Sequence, residues 1–108
     1  MKRLWQAEEL VEHFTLLPEE STLLANKTGS TRLGFAVLLK FFQYEGRFPY
    51  YKSEIPEAVV AHMAKQVGVL PGQYPEYDWS GRTIKYHRAQ IRIFLGFSEV
   101  TLMDSQSL

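Results

Sequence analysis

Cysteine is absent from the 108 residues, which removes disulfides, thiolate metal sites and cysteine nucleophiles together. A reducing cytoplasm is the simplest home for such a chain. No run of about 18 apolar residues occurs, so no membrane-spanning helix is predicted. The opening Met1-Lys2-Arg3-Leu4-Trp5 has no hydrophobic core behind its positive charges and gives no support for secretion. Without secretion the sequon Asn26-Lys27-Thr28 has no consequence. Phosphate loop, Gly-x-Ser-x-Gly and dinucleotide fingerprint are all missing. The three histidines, His13, His62 and His87, are scattered, and Glu12-His13 lacks the second histidine of a zinc helix. Glu8, Glu9 and Glu12 sit beside one another and read as a solvated acidic face rather than a metal cluster. The chain is expected to hold no cofactor and no catalytic residue of its own. Internal repeats, low-complexity tracts and alternating strand patterns are also absent.

What is present is apolar and aromatic material. Hydrophobic residues make up 45% of the chain, with seven Phe, six Tyr and two Trp. That supplies a core for one domain over residues 1–108 and excludes disorder. Ala7, Leu10, Val11 and Phe14 recur at helical spacing and predict an amphipathic helix of roughly residues 5–15. Pro18-Glu19-Glu20 suits the first turn of a short second helix ending near Asn26. Ser30 or Thr31 is expected to cap a third helix that runs to Glu45, with Gly46 as its terminator. Apolar residues occupy nearly every side of that helix, which marks it as central. Gly34 inside it costs about 1 kcal/mol relative to alanine, and a close helix crossing is the expected compensation.

After a loop over 46–56, Pro56 opens a fourth helix with Ile55, Val59, Met63 and Val67 on one side and Gly68 at its end. Residues 70–78 predict an irregular connection or a single turn. A fifth helix follows over roughly 81–95, with Ser80 as cap and Gly96 as stop, and Thr101-Leu-Met-Asp104 starts a further one. A helix beginning so near Leu108 suggests that the chain is a segment of something longer. The expected fold is all-α: a compact, helix-turn-helix-like bundle of five or six short helices around a central apolar one.

Net charge is zero, but it is sorted: −3 over residues 1–25, +4 over 26–52, −3 over 53–78, +4 over 79–98 and −2 over 99–108. Sorted charge builds local fields that the net value hides. At 100° per residue, Arg82, Lys85, Arg88 and Arg92 share an arc of about 120° on the fifth helix, with Ile84, His87, Ile91, Phe94 and Leu95 on the adjoining side. Tyr86 and Gln90 flank the cations. A recognition helix needs cations for phosphates and planar or polar groups for base edges. The competing reading is a solvated face paired with acids of the first helix. Lys27, Arg32 and Arg47, with Lys52, are candidates for a second phosphate-contacting strip, while Arg32 and Arg47 serve equally well as helix caps or carboxylate partners. Tyr50-Tyr51-Lys52 reads as a partly buried loop, and His87 as a hydrogen-bonded core residue.

Several stretches resemble the N-terminal region of Tn-three-family replicative transposases. They are Arg32-Leu33-Gly34-Phe35-Ala36, Tyr44-Glu45-Gly46-Arg47-Phe48-Pro49, Ile55-Pro56, Ala64-Lys65-Gln66-Val67-Gly68-Val69, and Gly81-Arg82-Thr83 through His87-Arg88 and Ile91-Arg92 to Leu95-Gly96-Phe97. They cover nearly the whole chain in order. The resemblance implies a helical bacterial cytoplasmic domain that binds double-stranded DNA at the terminal inverted repeats. Strand cleavage would lie in a C-terminal acidic triad with magnesium, outside this chain. Further partners it implies are the remaining domains of the same transposase and a second protomer. Three other readings stay open on the residues alone: a scaffold module that docks on neighbouring domains or a second protomer, a small independent enzyme supported only by the Glu8, Glu9 and Glu12 cluster, and a free-standing regulator.

Overall fold

The computed structural model describes residues 1–96. They form five α-helices and two 3-10 turns: α1 (Ala7–Phe14), α2 (Pro18–Thr22), α3 (Gly29–Glu45), a turn at Lys52–Glu54, α4 (Glu57–Val67), a turn at Pro71–Glu76, and α5 (Arg82–Leu95). Among the described residues there is no strand, and the fold is all-α. The helix anticipated from Thr101 lies outside the described residues.

α1 is shorter than its apolar periodicity predicts, because Glu9 reaches back to accept the Gln6 N–H at 2.8 Å and fixes the start there. Glu20 does the same for the Leu17 N–H at 2.9 Å, with Pro18 at the first helical position. α3 starts earlier than expected: Thr28, not Ser30 or Thr31, takes the extended cap position, and the Thr31 hydroxyl donates to the Thr28 carbonyl at 2.7 Å. Ser80 is not the cap of α5 either. Gly81 holds that place while the Asp78 carboxylate accepts both the Ser80 N–H and its hydroxyl.

The three glycine stops are as expected. Gly46, Gly68 and Gly96 end α3, α4 and α5 in left-handed backbone (φ +79° at Gly46), which side-chain-bearing residues adopt at a cost.

α3 is the axis of the molecule. Residues Leu33 to Phe41 are buried without interruption, and α1, α4, α5 and the Pro71–Glu76 turn all pack against this helix. Ile55, just ahead of α4, and Val59, Met63 and Val67 within it form one buried row. Gly34 is matched differently from expectation. The group over it is no helix but the ring of Tyr77, from the connection between α4 and α5. A Cβ at position 34 would meet three Tyr77 ring carbons at 2.4–2.5 Å. Tyr77 in turn stacks on His87 of α5 (5.7 Å between centroids, 11° between planes). Gly34 thus sets how closely α5 approaches the core.

Candidate nucleic-acid interface

α5 divides into two sides. Ile84, His87 and Ile91 are buried against the core, while Arg82, Lys85 and Arg92 are exposed. No acid occurs between residues 79 and 98. Among the described residues neither Arg82 nor Lys85 has a carboxylate or hydrogen-bond partner, and no α5 cation pairs with α1. The α1 carboxylate Glu9 binds Lys2 instead.

Arg88 differs from its neighbours. It is half-buried, its Nε has no partner, and its guanidinium lies 5.7 Å from the centre of the Phe48 ring. The Arg92 guanidinium lies over the same ring at 5.3 Å. The 46–51 loop therefore supports the basic helix from one side through cation–π contacts.

The remaining candidates have internal bonds. Lys27 is buried, and its ammonium donates to the Leu23 carbonyl, Asn26 Oδ1 and Gln90 Oε1 at 3.0, 3.3 and 3.1 Å, above the Phe35 ring. Burial lowers its pKa. Gln90 is thereby held at the edge of α5. Arg32 donates to the carbonyls of Val67, Leu24 and Lys27, tying the end of α4 to the α2–α3 corner. Arg47 pairs with Glu54 and lies over the Tyr50 ring. Lys52 donates to the carbonyls of Pro75 and Tyr77. Tyr86 is exposed, and Tyr50 and Tyr51 are too, where the sequence pattern suggested partial burial.

Ile93 stands out on α5. It is 75% exposed among the cations, and no apolar role on the inward side accounts for it. The wheel signals it: a branched aliphatic residue falls near the centre of the polar arc.

His87 anchors the inward side. Its Nδ1 lies 2.6 Å from the Tyr77 hydroxyl. Burial pushes the Tyr77 pKa upward, so the hydroxyl keeps its proton in this hydrogen bond. Burial, then the Lys27 charge, pulls the His87 pKa from 6.5 to about 4. The unfolded chain therefore takes up this proton near pH 6.5 and the folded chain does not. The stability His87 contributes is complete above 6.5 and falls as pH drops towards 4, by about 2 kcal/mol between pH 6.5 and 5. His62, whose pKa burial also lowers, adds to the same slope. Urea unfolding at pH 7 and pH 5 tests this: His87→Gln loses most of the acid dependence, and an unchanged dependence refutes the assignment.

Away from α5, a groove of about 750 Å³ runs between α4 and the two 3-10 turns, lined by Arg3, Ile55, Val60, Pro71, Tyr74 and Pro75 among others. Among the described residues no three His, Asp or Glu side chains converge as a metal site, and no helix is long and apolar enough to cross a membrane.

A family described as "Domain of unknown function (DUF4158)" matches residues 1–108. The chain is 30% identical over 102 residues to the transposase for transposon Tn501 of Pseudomonas aeruginosa, covering 94% of this chain and 10% of that protein. It is 36% identical over 74 residues to the transposase for transposon Tn1546 of Enterococcus faecium, covering 68% of this chain and 7% of that protein. The chain thus spans a tenth or less of the length of these relatives. No solved structure matches it. Matched from end to end, the chain belongs to the DUF4158 family and corresponds to the N-terminal region of Tn-three-family transposases.

Proposed function

We propose that this domain binds duplex DNA at transposon ends through α5, acting as a non-catalytic recognition module of a longer cytoplasmic transposase. The observation that carries the reading is the outward face of α5, where Arg82, Lys85 and Arg92 stand exposed with no carboxylate on the helix. A phosphate backbone is the complementary surface for such a face. Arg88 joins them if it leaves the Phe48 ring. Tyr86 and Gln90 lie towards base edges. Lys27, Arg32 and Arg47 serve this reading chiefly by fixing the α2–α3 corner and the 46–51 loop beside α5. In helix-turn-helix terms α5 is the recognition helix, with the 68–81 connection in place of the usual short turn. Cleavage and its magnesium belong to the rest of the longer protein, whose other domains, together with a second protomer, are the further partners.

Fluorescence anisotropy on a duplex from the element's terminal inverted repeat and on a scrambled duplex tests the reading. Three cations give a slope of log affinity against log salt of about −2.7, and four about −3.6. Going from 50 to 200 mM salt then weakens binding about 40- to 150-fold. Lys85→Ala/Arg92→Ala makes the slope shallower by about 1.8. A slope near zero, or equal affinity for both duplexes, sinks end recognition.

A second reading has its own observation. Tyr50 and Tyr51 are exposed side by side on the 46–51 loop, as a docking surface for neighbouring transposase domains requires. A folded chain that binds neither duplex favours it.

A further inference from the structure

A lone exposed aliphatic residue needs no explanation, but contiguous exposed apolar surface rimmed by polar groups marks a partner site. On α5, Tyr86 and Ile93 are 72% and 75% exposed, with exposed Ala89 between them. The three fall within about 60° on the helix and form one strip, with Arg82, Lys85 and Arg92 on the same outward face. The strip also forms one wall of a groove whose other side is Asn26, Lys27 and Thr31 at the α2–α3 corner. Charge decides what covers it. The charged groups beside it on α5 are all cationic and the helix carries no acid, so the complementary surface is anionic along that side of the strip and apolar where it meets the strip. The major groove of duplex DNA has that pattern where thymines occur: phosphates line the rims, and the thymine C5-methyl is the apolar group on the groove floor.

Resting on the DNA-binding reading above, we infer that the Tyr86–Ala89–Ile93 strip reads thymine methyl groups in the major groove while the adjoining cations hold the phosphates. Tyr86 and Ile93 are two helical turns apart, about 10 Å along the axis, which matches about three base-pair steps of 3.4 Å. The strip therefore selects two thymines about three steps apart rather than a thymine run of any length. Asn26 and Thr31 bound the strip on one side, so the reading has a defined edge.

The test compares terminal-repeat duplexes made with thymine and with deoxyuridine throughout, which keeps pairing and charge and removes only the methyls. Each buried methyl contributes about fourfold in affinity, so the full chain binds the thymine duplex roughly fifteenfold tighter for two contacts. Ile93→Ser and Tyr86→Ser each lower that ratio towards fourfold, and the double variant binds both duplexes alike. Lys85→Gln weakens both duplexes equally and leaves the ratio intact. These positions are exposed, and circular dichroism verifies that each variant is folded. Salt-sensitive binding with no thymine preference overturns the methyl reading alone. A preference untouched by the serine variants overturns it as well. No binding to either duplex by the folded chain overturns the DNA reading together with it. If Ile93→Ser instead converts a dimer to a monomer in sedimentation while the thymine ratio stays unchanged, the strip is an interface between copies and the inference is wrong.

Discussion

Gly34→Ala lowers the stability of the domain by about 2 kcal/mol, opposite to the gain that alanine normally brings to a helix. Inside a helix, alanine is favoured over glycine by about 1 kcal/mol. At position 34 the new methyl would lie 2.4 Å from Cγ and Cδ1 of Tyr77, far inside contact distance. Tyr77 is buried, its ring is stacked on His87, and its hydroxyl is held by His87 Nδ1. The ring has no open side to move into, so the clash is relieved only by shifting it with α5. Overpacking of this kind costs about 3 kcal/mol, which leaves the net loss stated and a fall in Tm of about 10 °C. A double-mutant cycle checks the cause: Tyr77→Leu makes room, so Gly34→Ala/Tyr77→Leu is less destabilised than the two single losses added together. Strict additivity, or a stabilised Gly34→Ala, refutes the contact. Because Tyr77 also sets where α5 sits, Gly34→Ala is expected to weaken the proposed DNA binding at temperatures where the domain is still folded.

That contact marks the boundary of what the sequence makes legible. The all-round apolar pattern of residues 33–41 identifies the central helix, and glycines 46, 68 and 96 mark three helix ends, because each signal is local. The buried row of α4 and the inward set Ile84, His87 and Ile91 follow from spacing alone. The partner of Gly34 does not, since Tyr77 comes from a connection whose path depends on the whole packing. The same division runs through the candidate interface. Periodicity puts Arg82, Lys85 and Arg92 on one face, but only the fold brings Phe48 under Arg88 and Arg92. Lys27, charged and next to a loop, reads as a surface residue. Its burial arises because Gln90, 63 positions away, supplies an acceptor. The start of α1 and the cap of α5 lie one or two residues from the periodic expectation where a side chain reaches across: Glu9 to Gln6, and Asp78 to Ser80.

The second large effect comes from a charge in the centre of the molecule. Lys40, midway along the most apolar helix, pairs with Glu20 of α2 at 2.8 Å, and both side chains are almost wholly buried. The pair is closed by further bonds. Gln43 donates to Glu20 Oε2 at 2.7 Å and accepts from the Lys40 ammonium at 2.8 Å, and the Leu17 N–H donates to the same carboxylate. Burial pushes the Glu20 pKa up, but the bonds from Gln43, Leu17 and Lys40 outweigh it and leave the pKa below its ordinary value. In the native chain this group therefore contributes stability above pH 4.5 that is lost as pH falls through the lowered value. Lys40→Met removes the cation and leaves a carboxylate buried without it, at a cost of about 3–5 kcal/mol at pH 7. Losing the cation raises the Glu20 pKa relative to the native chain, so the variant's deficit is full at neutral pH and shrinks as acid protonates Glu20. Urea unfolding of both proteins from pH 7 to 4.5 should show the gap between them narrowing. Glu20→Leu/Lys40→Met, with no charge left to desolvate, should recover most of the loss at every pH. A gap that stays constant with pH, or a double variant as unstable as the single one, means that Lys40 acts through packing and not through its charge.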